Sequence, residues 1–523
     1  MTLTAAPHTS VAIDNAAFGD FSLTGENSLT TTDHRKVGGL LAAASLLVGV
    51  VGVAVLGLVT WRLDDSVRGT LPGSGFLGAS FEGGWSFTRL WTAVENGLPF
   101  FVVAPLFLAL STIAVPRLIG STRMAFPRVQ AFVLWGYVAA VALFIAAFTV
   151  VDGPPLWTTA FRPGDTQPSN HATDLLSAAL GVLSIVLFAG AVNVVATVLT
   201  QRRPGLRLDD IAPFAWASLL ASAVTALSMP VFAGGLLMWT LNAHVGGNLS
   251  SAPGFDRVWQ HTVYLYGRPD TFMLVLPALG VASQIVSNRV GKPLIGGIAS
   301  KVLMAMFAAF SFGVWATANT SAMVQPTSSL VSGLVAIPTG LLVLIWLGTI
   351  AQGMKPDTSV LAVVGLIVML ALGALNVIVA GVRGVNGDLK ASWTIGQTLL
   401  LLVAAPIAAA IGGFHEFAPL VWGRRTMAPL GGLAGLAALA GGVLLGGGIA
   451  GVAYKDTAAD KATVASAAAG IGAFLLAGAL ALTILNLLGS VVARRGAEVD
   501  QLSGPPSDPA PDPSTGAALE GAH

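Results

Sequence analysis

Long apolar runs separated by short polar segments form the main pattern of this chain. A helix needs about 20 predominantly apolar residues to cross the hydrocarbon core of a bilayer. Runs of this kind predict twelve membrane helices, at 38–61, 97–119, 127–151, 176–200, 211–241, 261–288, 295–318, 329–352, 359–382, 393–413, 428–453 and 465–493. The sequence therefore predicts an all-α membrane protein, a bundle of twelve transmembrane helices.

Both ends of the chain depart from this pattern. Residues 1–36 are polar and mixed in charge, and residues 496–523 are rich in Pro, Ser, Asp and Gly. A segment with so few apolar side chains cannot bury enough surface to fold alone. We predict a polar N-terminal segment over 1–36, a transmembrane domain over 37–495 and a disordered tail over 496–523.

Basic residues predict the orientation, because loops rich in Lys and Arg stay on the cytoplasmic side. With the N-terminus inside, most of the 26 lysines and arginines fall in inside segments, and Arg268 is the one that falls within the membrane. An even number of crossings returns the chain to the same side. Both termini are therefore predicted to be cytoplasmic.

Composition narrows the class of protein further. Hydrophobic residues make up 54% of the chain and charged residues 10%, whereas a soluble domain carries about 25% charged residues. The hydrophobic composition predicts the lipid bilayer as a partner, and the net charge of +1 predicts no nucleic acid partner. The chain has no cysteine, which excludes disulfides, thiolate metal ligands and cysteine nucleophiles.

Seven short motifs, which follow one another in order along the chain, make the class of protein specific. They are Thr31-Thr32-Asp33-His34-Arg35-Lys36, Met124-Ala125-Phe126-Pro127-Arg128, Met229-Pro230-Val231-Phe232-Ala233-Gly234-Gly235, Trp259-Gln260-His261, Val314-Trp315-Ala316, Ile337-Pro338-Thr339-Gly340 and Phe414-His415-Glu416-Phe417. In this order and near this spacing they resemble the catalytic subunit I of haem–copper oxidases, of the cytochrome c oxidase type. The resemblance implies the twelve-helix bundle of that family in a bacterial-type plasma membrane.

The histidines depart from the family. Neutral imidazole is a good ligand for haem iron and for copper, and the family holds both metals with histidines. The seven histidines of this chain are His8, His34, His171, His244, His261, His415 and His523. The resemblance places the metal ligands between His34 and His171 and between His261 and His415, where this chain has no histidine.

Other residues stand where the family places its ligands. The low-spin haem ligand of the second helix falls near Val94, and the His-Pro-Glu-Val-Tyr motif of the sixth becomes Arg268-Pro269-Asp270-Thr271-Phe272. The remaining degenerate positions are Thr317, Ala318, Ile395 and Gln397. The resemblance alone implies cytochrome-c oxidase activity, but these positions predict a pseudoenzyme with no catalytic residue, no metal site and no haem or copper.

Positions of the family's proton paths change as well. The acid before the Met124–Arg128 motif becomes Arg123, an asparagine aligns with Thr112, and the lysine after Pro338-Thr339-Gly340 becomes Leu342. Of the family's usual proton carriers within the membrane, only an acid at Asp270 survives.

Arg268 and Asp270 are the candidate polar residues of a vacated cavity. Ionisable groups within a membrane are costly and usually face a cavity or a partner. Arg268 either binds an anion or carboxylate there, or fills the void and pairs with an acid or carbonyls of a neighbouring helix; we favour the second. Asp270 either relays protons or is a buried neutral acid, since burial without a partner raises the pKa of a carboxyl group.

Several other polar or small residues have simpler interpretations. His261 and His415 are predicted to form hydrogen bonds at helix ends, and His171 and His244 to lie in outer loops. Gly431, Gly435, Gly442 and Gly446 have the small-xxx-small spacing that permits close helix packing.

Three functions remain open at this stage. The chain is predicted to be a structural or assembly subunit of a respiratory or other redox complex, beside subunit II-like or subunit III-like proteins. The first alternative is a transport or ligand-binding protein that reuses the cavities around Arg268 and Asp270. The second is a terminal oxidase subunit of aerobic electron transport, as family similarity alone suggests.

Overall fold

The structure is a computed structural model that describes residues 31–61, 90, 93–94, 97–150, 171–244, 274–317, 334–355, 357–384, 399–423, 425–453 and 459–492. Throughout these ranges the regular elements are helices. The N-terminal segment before Thr31 and the tail after Val492 lie outside the described residues. Their predicted properties therefore stay predictions.

Twelve long α-helices occur within the described ranges. They are α1 (His34–Trp61), α2 (Ala104–Leu118), α3 (Pro127–Thr149), α4 (His171–Thr200), α5 (Pro213–His244), α6 (Leu276–Val290), α7 (Gly297–Thr317), α8 (Ala336–Ile350), α9 (Thr358–Gly384), α10 (Ala405–Trp422), α11 (Ala428–Ala453) and α12 (Ala459–Val492). Eight are long and apolar enough to cross a membrane when α2 and α10 are counted with the π-helical turns before them. The all-helical membrane fold is confirmed, while twelve crossings remain a prediction.

Three helices, α2, α6 and α10, form the centre of the bundle. Of the 18 most apolar consecutive residues in the span Leu98–Leu118, 94% are buried. The corresponding share for the span Leu399–Trp422 is 89%. The other spanning helices bury between 33% and 56% of theirs. Gly413 of α10 lies between Leu110 of α2 and Val281 of α6, so the three helices meet where a larger side chain has little room.

The remaining helices surround this centre. Successive contacts run from α12 to α1, α3, α4, α5, α7 and α8, and from α9 to α11 and back to α12. Large apolar side chains on these helices point outward, among them Phe132, Ile185 and Leu227. Such a surface would be unfavourable in water and suits contact with lipid.

A π-helical turn precedes a proline in each central helix. The turns are Leu98–Val103 before Pro105, residues 274–275 before Pro277, and Leu399–Ala404 before Pro406. Proline lacks an N–H and its ring clashes with the carbonyl four residues earlier, and a π-helical turn, which is wider than an α-helical one, makes room for the ring. The Phe101 carbonyl, four residues before Pro105, accepts a hydrogen bond of 2.7 Å from the Tyr137 hydroxyl of α3.

The glycines of α11 pack closely against neighbouring helices, as predicted. A Cβ at Gly431 would meet His415, and one at Gly435, Gly442 or Gly446 would meet Leu361, Met369 or Leu400. A second face, with Gly441 and Gly448, lies directly on the backbone of α12. Close packing is therefore the role of these residues in the fold.

Two details of the predicted elements are wrong. Helix α10 does not end at residue 413 but continues to Trp422, because the polar pair His415 and Glu416 that interrupts the apolar run is hydrogen-bonded inside the bundle. His171 and His244 do not lie in loops: they begin α4 and end α5. His244 Nε2 lies 2.9 Å from Asp174 Oδ1 of α4. This contact stabilises the first turn of α4 and the last turn of α5.

Candidate functional site

Most of the predicted site residues fall outside the described part of the chain. These are Arg268, Asp270, Ala318, Ile395 and Gln397. Thr317 is described only as the last residue of α7. Val94 is described in full and is 3% exposed within the hydrophobic core.

Apolar side chains one and two turns after Val94 pack against α1. Leu98 and Val102 project from the π-helical turn before α2, and a Cβ on Gly52 or Gly49 of α1 would lie only 2.9 Å from a methyl group of Leu98 or Val102, respectively. Real Cβ atoms essentially never come this close to other atoms. The start of the second span is therefore packed directly against α1.

The turn before α10 is packed in the same way. A Cβ on Gly446 of α11 would lie 2.9 Å from a methyl group of Leu400, and one on Gly373 of α9 would overlap Leu401. The two π-helical turns also contact each other. The described residues of this region thus form a continuous hydrocarbon core.

A buried ionic cluster lies at the predicted cytoplasmic end of the bundle. Glu416 of α10 is only 1% exposed, and its Oε2 accepts hydrogen bonds from Arg289 Nε at 3.1 Å and Nη2 at 2.5 Å. Its Oε1 accepts a hydrogen bond of 2.8 Å from the Asn288 amide. Arg289 Nη1 lies 2.6 Å from Oδ2 of Asp357, which precedes α9. One guanidinium therefore joins α6, α9 and α10.

Gln284 extends this cluster into the bundle. Its Nε2 donates a hydrogen bond of 2.9 Å to Asn288 Oδ1, so two side-chain amides lead from α6 to the Glu416 carboxylate. Among the residues that the structure describes, the buried Oε1 of Gln284 has no hydrogen-bond partner.

His415 makes a second polar connection beside Glu416. Its Nδ1 lies 2.7 Å from the Ile411 carbonyl and its Nε2 lies 3.0 Å from Nδ2 of Asn486. Because the carbonyl needs a donor and the amide nitrogen donates, these contacts fit the neutral Nδ1–H tautomer. Asn486 of α12 also bonds the backbone N–H and carbonyl of Met427. His415 forms hydrogen bonds as predicted, but it does so from the interior of α10 and not from a helix end.

Sequence reasoning missed the Glu416 cluster. The signal was present, since Glu416 is an ionisable residue within an apolar run, and intramembrane charges pair when they can. Its partner Arg289 lies 127 residues earlier in the chain. Only the packing of α6 against α10 brings the two together.

The described proton-path positions lie apart from one another. Thr112 of α2 is fully buried and its hydroxyl donates a hydrogen bond of 3.4 Å to Gln130 Oε1 of α3. Arg123 lies exposed in the turn between these helices, where its carbonyl accepts a hydrogen bond of 2.8 Å from Ser121. Leu342 is buried in α8. A leucine cannot carry a proton, so the structure gives Leu342 a packing role.

Two of the recognisable motifs have structural roles. Asn193 of α4 accepts a hydrogen bond from the Phe126 N–H at 2.9 Å and donates one to the Phe126 carbonyl at 3.0 Å, which fixes the turn before α3. Asp33 caps α1, where its Oδ1 accepts the Arg35 N–H at 2.9 Å. Burial raises the pKa of Asp33, but hydrogen bonds and charge from Arg35 outweigh it, so this pKa lies below its usual value.

The described residues contain no group of three or more His, Asp or Glu side chains that could hold a metal ion. Together, the central helices and the buried cluster define a polytopic helical membrane protein built around three inner helices.

The chain matches the family model "Cytochrome C and Quinol oxidase polypeptide I" over residues 36–455 and belongs to that family. It is 28% identical over 408 residues to a Nocardia farcinica protein named "Probable cytochrome c oxidase subunit 1-beta", covering 76% of this chain and 67% of that one. It is 28% identical over 391 residues to cytochrome c oxidase subunit 1 of Cereibacter sphaeroides, covering 68% of each chain. The predicted resemblance to subunit I is confirmed.

Proposed function

We propose that this chain is a haem-free and copper-free member of the subunit I family, serving as a non-catalytic subunit of a respiratory or other redox membrane complex. The observation that carries the proposal is the packed hydrocarbon core beside Val94. Family resemblance implies that a low-spin haem is held between the second and tenth spans. The π-helical turns at the start of the described parts of those spans contact each other, which favours a closed interface there.

The fit of the haem is poor for a steric reason and a chemical one. Leu98 and Val102 lie against glycines of α1, and Leu400 and Leu401 lie against glycines of α11 and α9. The two π-helical turns also contact each other, so a planar macrocycle would need to separate them. Protein interiors are close-packed and resist such insertion. A valine side chain at position 94 has no lone pair to offer to iron.

Donor chemistry at the other matched positions supports the same proposal. The guanidinium of Arg268 stays protonated and has no free lone pair. Thr317, Ala318, Ile395 and Gln397 offer no imidazole.

The buried cluster gives the bundle a source of cohesion that needs no cofactor. Arg289 links α6, α9 and α10 through Glu416 and Asp357, while Asn486 links α12 to His415 and to the start of α11. Five helices are joined by side chains alone. A bundle tied in this way can keep the outer surface through which a subunit meets its partners.

The proposed partners are subunit II-like or subunit III-like membrane proteins, and the proposed location is a bacterial-type plasma membrane with both termini inside. Chemical cross-linking in native membranes tests this arrangement. We expect a cross-linked species that contains this chain and one such protein. Recovery of the chain alone would contradict it.

The decisive experiment is a reduced-minus-oxidised absorption spectrum with metal analysis on protein purified from a host that lacks its own haem–copper oxidases. We expect no haem bands and only trace iron and copper. An authentic cytochrome c oxidase, expressed and purified in parallel, is the control for cofactor supply. Haem and copper near one equivalent per chain would overturn the proposal.

A second candidate function rests on Arg268 and Asp270 in the sixth predicted membrane run. Two ionisable residues so close together at that depth suit a transport or ligand-binding role. Substitution Arg268→Ala should then abolish binding or transport without changing thermal stability. If instead only stability falls, Arg268 fills a void.

The terminal oxidase alternative is not favoured. Family membership gives the fold, but function depends on the site that the fold carries. The spectrum described above distinguishes this alternative from the other two.

A further inference from the structure

A small cavity lies among α2, α4, α5 and α6, away from Val94 and from the Glu416 cluster. Its volume is about 40 Å³. Four hydroxyl groups line it, those of Ser111 on α2 and of Ser218, Ser222 and Thr225 on α5. The other lining residues are apolar. We propose that this cavity is a hydrated site that holds two or three water molecules within the membrane-spanning bundle.

Its size fits this occupancy. One water needs about 10–15 Å³ of the space open to a water-sized probe, so a cavity of about 40 Å³ holds roughly three. A buried water also needs two to four polar partners. The four hydroxyls can supply them.

The hydroxyls have hydrogen-bonding capacity left for water. Ser111 Oγ donates to Ser218 Oγ at 3.0 Å, and Thr225 Oγ1 donates to the Ala221 carbonyl at 2.8 Å. Each hydroxyl oxygen can accept two hydrogen bonds and donate one. Within the described residues, the Ser218 and Ser222 hydroxyl hydrogens have no protein acceptor. Water is the ligand that satisfies both a donor and an acceptor in so small a volume.

The position of the site also favours water. Ser218 follows the first residue of α5, Pro213, by five positions and Thr225 by twelve, which places them about 8 Å and about 18 Å along the helix. The cavity therefore occupies the predicted cytoplasmic half of the bundle. It would give the chain a polar, proton-exchanging site that requires no metal.

The natural lack of cysteine provides a direct test, because a single introduced thiol gives the only S–H band in the infrared spectrum. We would substitute Ser218→Cys in the full-length chain in lipid and follow S–H to S–D exchange in D₂O. Ser45→Cys is the control: Ser45 is as fully buried as Ser218 and donates to the Leu41 carbonyl within α1 at 2.8 Å.

The proposal predicts that the Ser218→Cys thiol exchanges at least about tenfold faster than the Ser45→Cys thiol, because a dry thiol exchanges only through local opening. Adding Ala221→Leu, which fills the cavity, should remove that difference. Ser222→Cys is the second reporter if Ser218→Cys fails to fold. Equal exchange at the cavity and control positions, whether slow or fast, would overturn the proposal.

Discussion

At the scale of single residues, Glu416 is the most informative side chain. Its carboxylate is 1% exposed and meets Arg289, whereas Asp357, on the other side of the same guanidinium, is 31% exposed. Ion pairs near water contribute about 0–1 kcal/mol. Breaking a buried pair by removing one partner costs about 3–5 kcal/mol. The two carboxylates therefore offer a matched comparison on one arginine.

We predict that Glu416→Gln lowers the midpoint of thermal unfolding much more than Asp357→Asn does. The first substitution puts a neutral amide in the buried position that faces the partly buried guanidinium, at a cost of about 3 kcal/mol. The second keeps an oxygen that can cap α9 and loses about 1 kcal/mol. Intrinsic fluorescence of the 12 tryptophans in detergent reports both transitions. Similar shifts for the two variants would show that burial does not govern this cluster.

At the scale of elements, the α11–α12 pair shows what glycine spacing does. A Cβ on Gly448 would lie 2.5 Å from the Ala465 carbonyl oxygen and from the Ala469 nitrogen, both backbone atoms of α12. A Cβ on its neighbour Gly447 would have no neighbouring heavy atom within 4 Å. One helix therefore offers a crowded and an open glycine side by side.

Substituting each glycine by alanine should give opposite results. Gly448→Ala must push the two helices apart, and overpacking of this kind costs about 1–3 kcal/mol. Gly447→Ala meets no neighbour and should stabilise by about 0.5–1 kcal/mol, since alanine is the better helix former. Thermal unfolding in detergent measures both changes. Equal midpoints would mean that α11 and α12 do not pack as the structure shows.

The elements could be predicted from the sequence far better than the site could. Apolar runs give the position of α3 or α11 to within a few residues, because helix existence depends on local composition. The Arg289–Glu416 pair could not be predicted, since it joins residues 127 apart through the packing of two helices. The same is true of the hydroxyl cavity. Serine in an apolar helix often bonds its own backbone, as Ser45 does, and periodicity cannot distinguish the two cases.

At the scale of the whole molecule, the number of membrane crossings decides the orientation of every loop. Helices α6, α7, α8 and α9 are shorter or less apolar over their described lengths than the eight spanning helices. If α7 and α8 cross the membrane, the segment between them lies outside. If they lie along the membrane surface, that segment stays inside, and the bundle has fewer than twelve crossings.

Single cysteines in the cysteine-free chain distinguish these arrangements. Thr122→Cys in the turn between α2 and α3, and Lys292→Cys after α6, should react with a membrane-impermeant thiol reagent only after the cells are opened. His171→Cys at the start of α4 should react in intact cells, because α3 and α4 are joined outside. Ser328→Cys, between α7 and α8, should behave like His171→Cys if both helices cross. Protection of Ser328→Cys in intact cells, with labelling after opening, would contradict the twelve-helix topology while leaving the central helices unaffected.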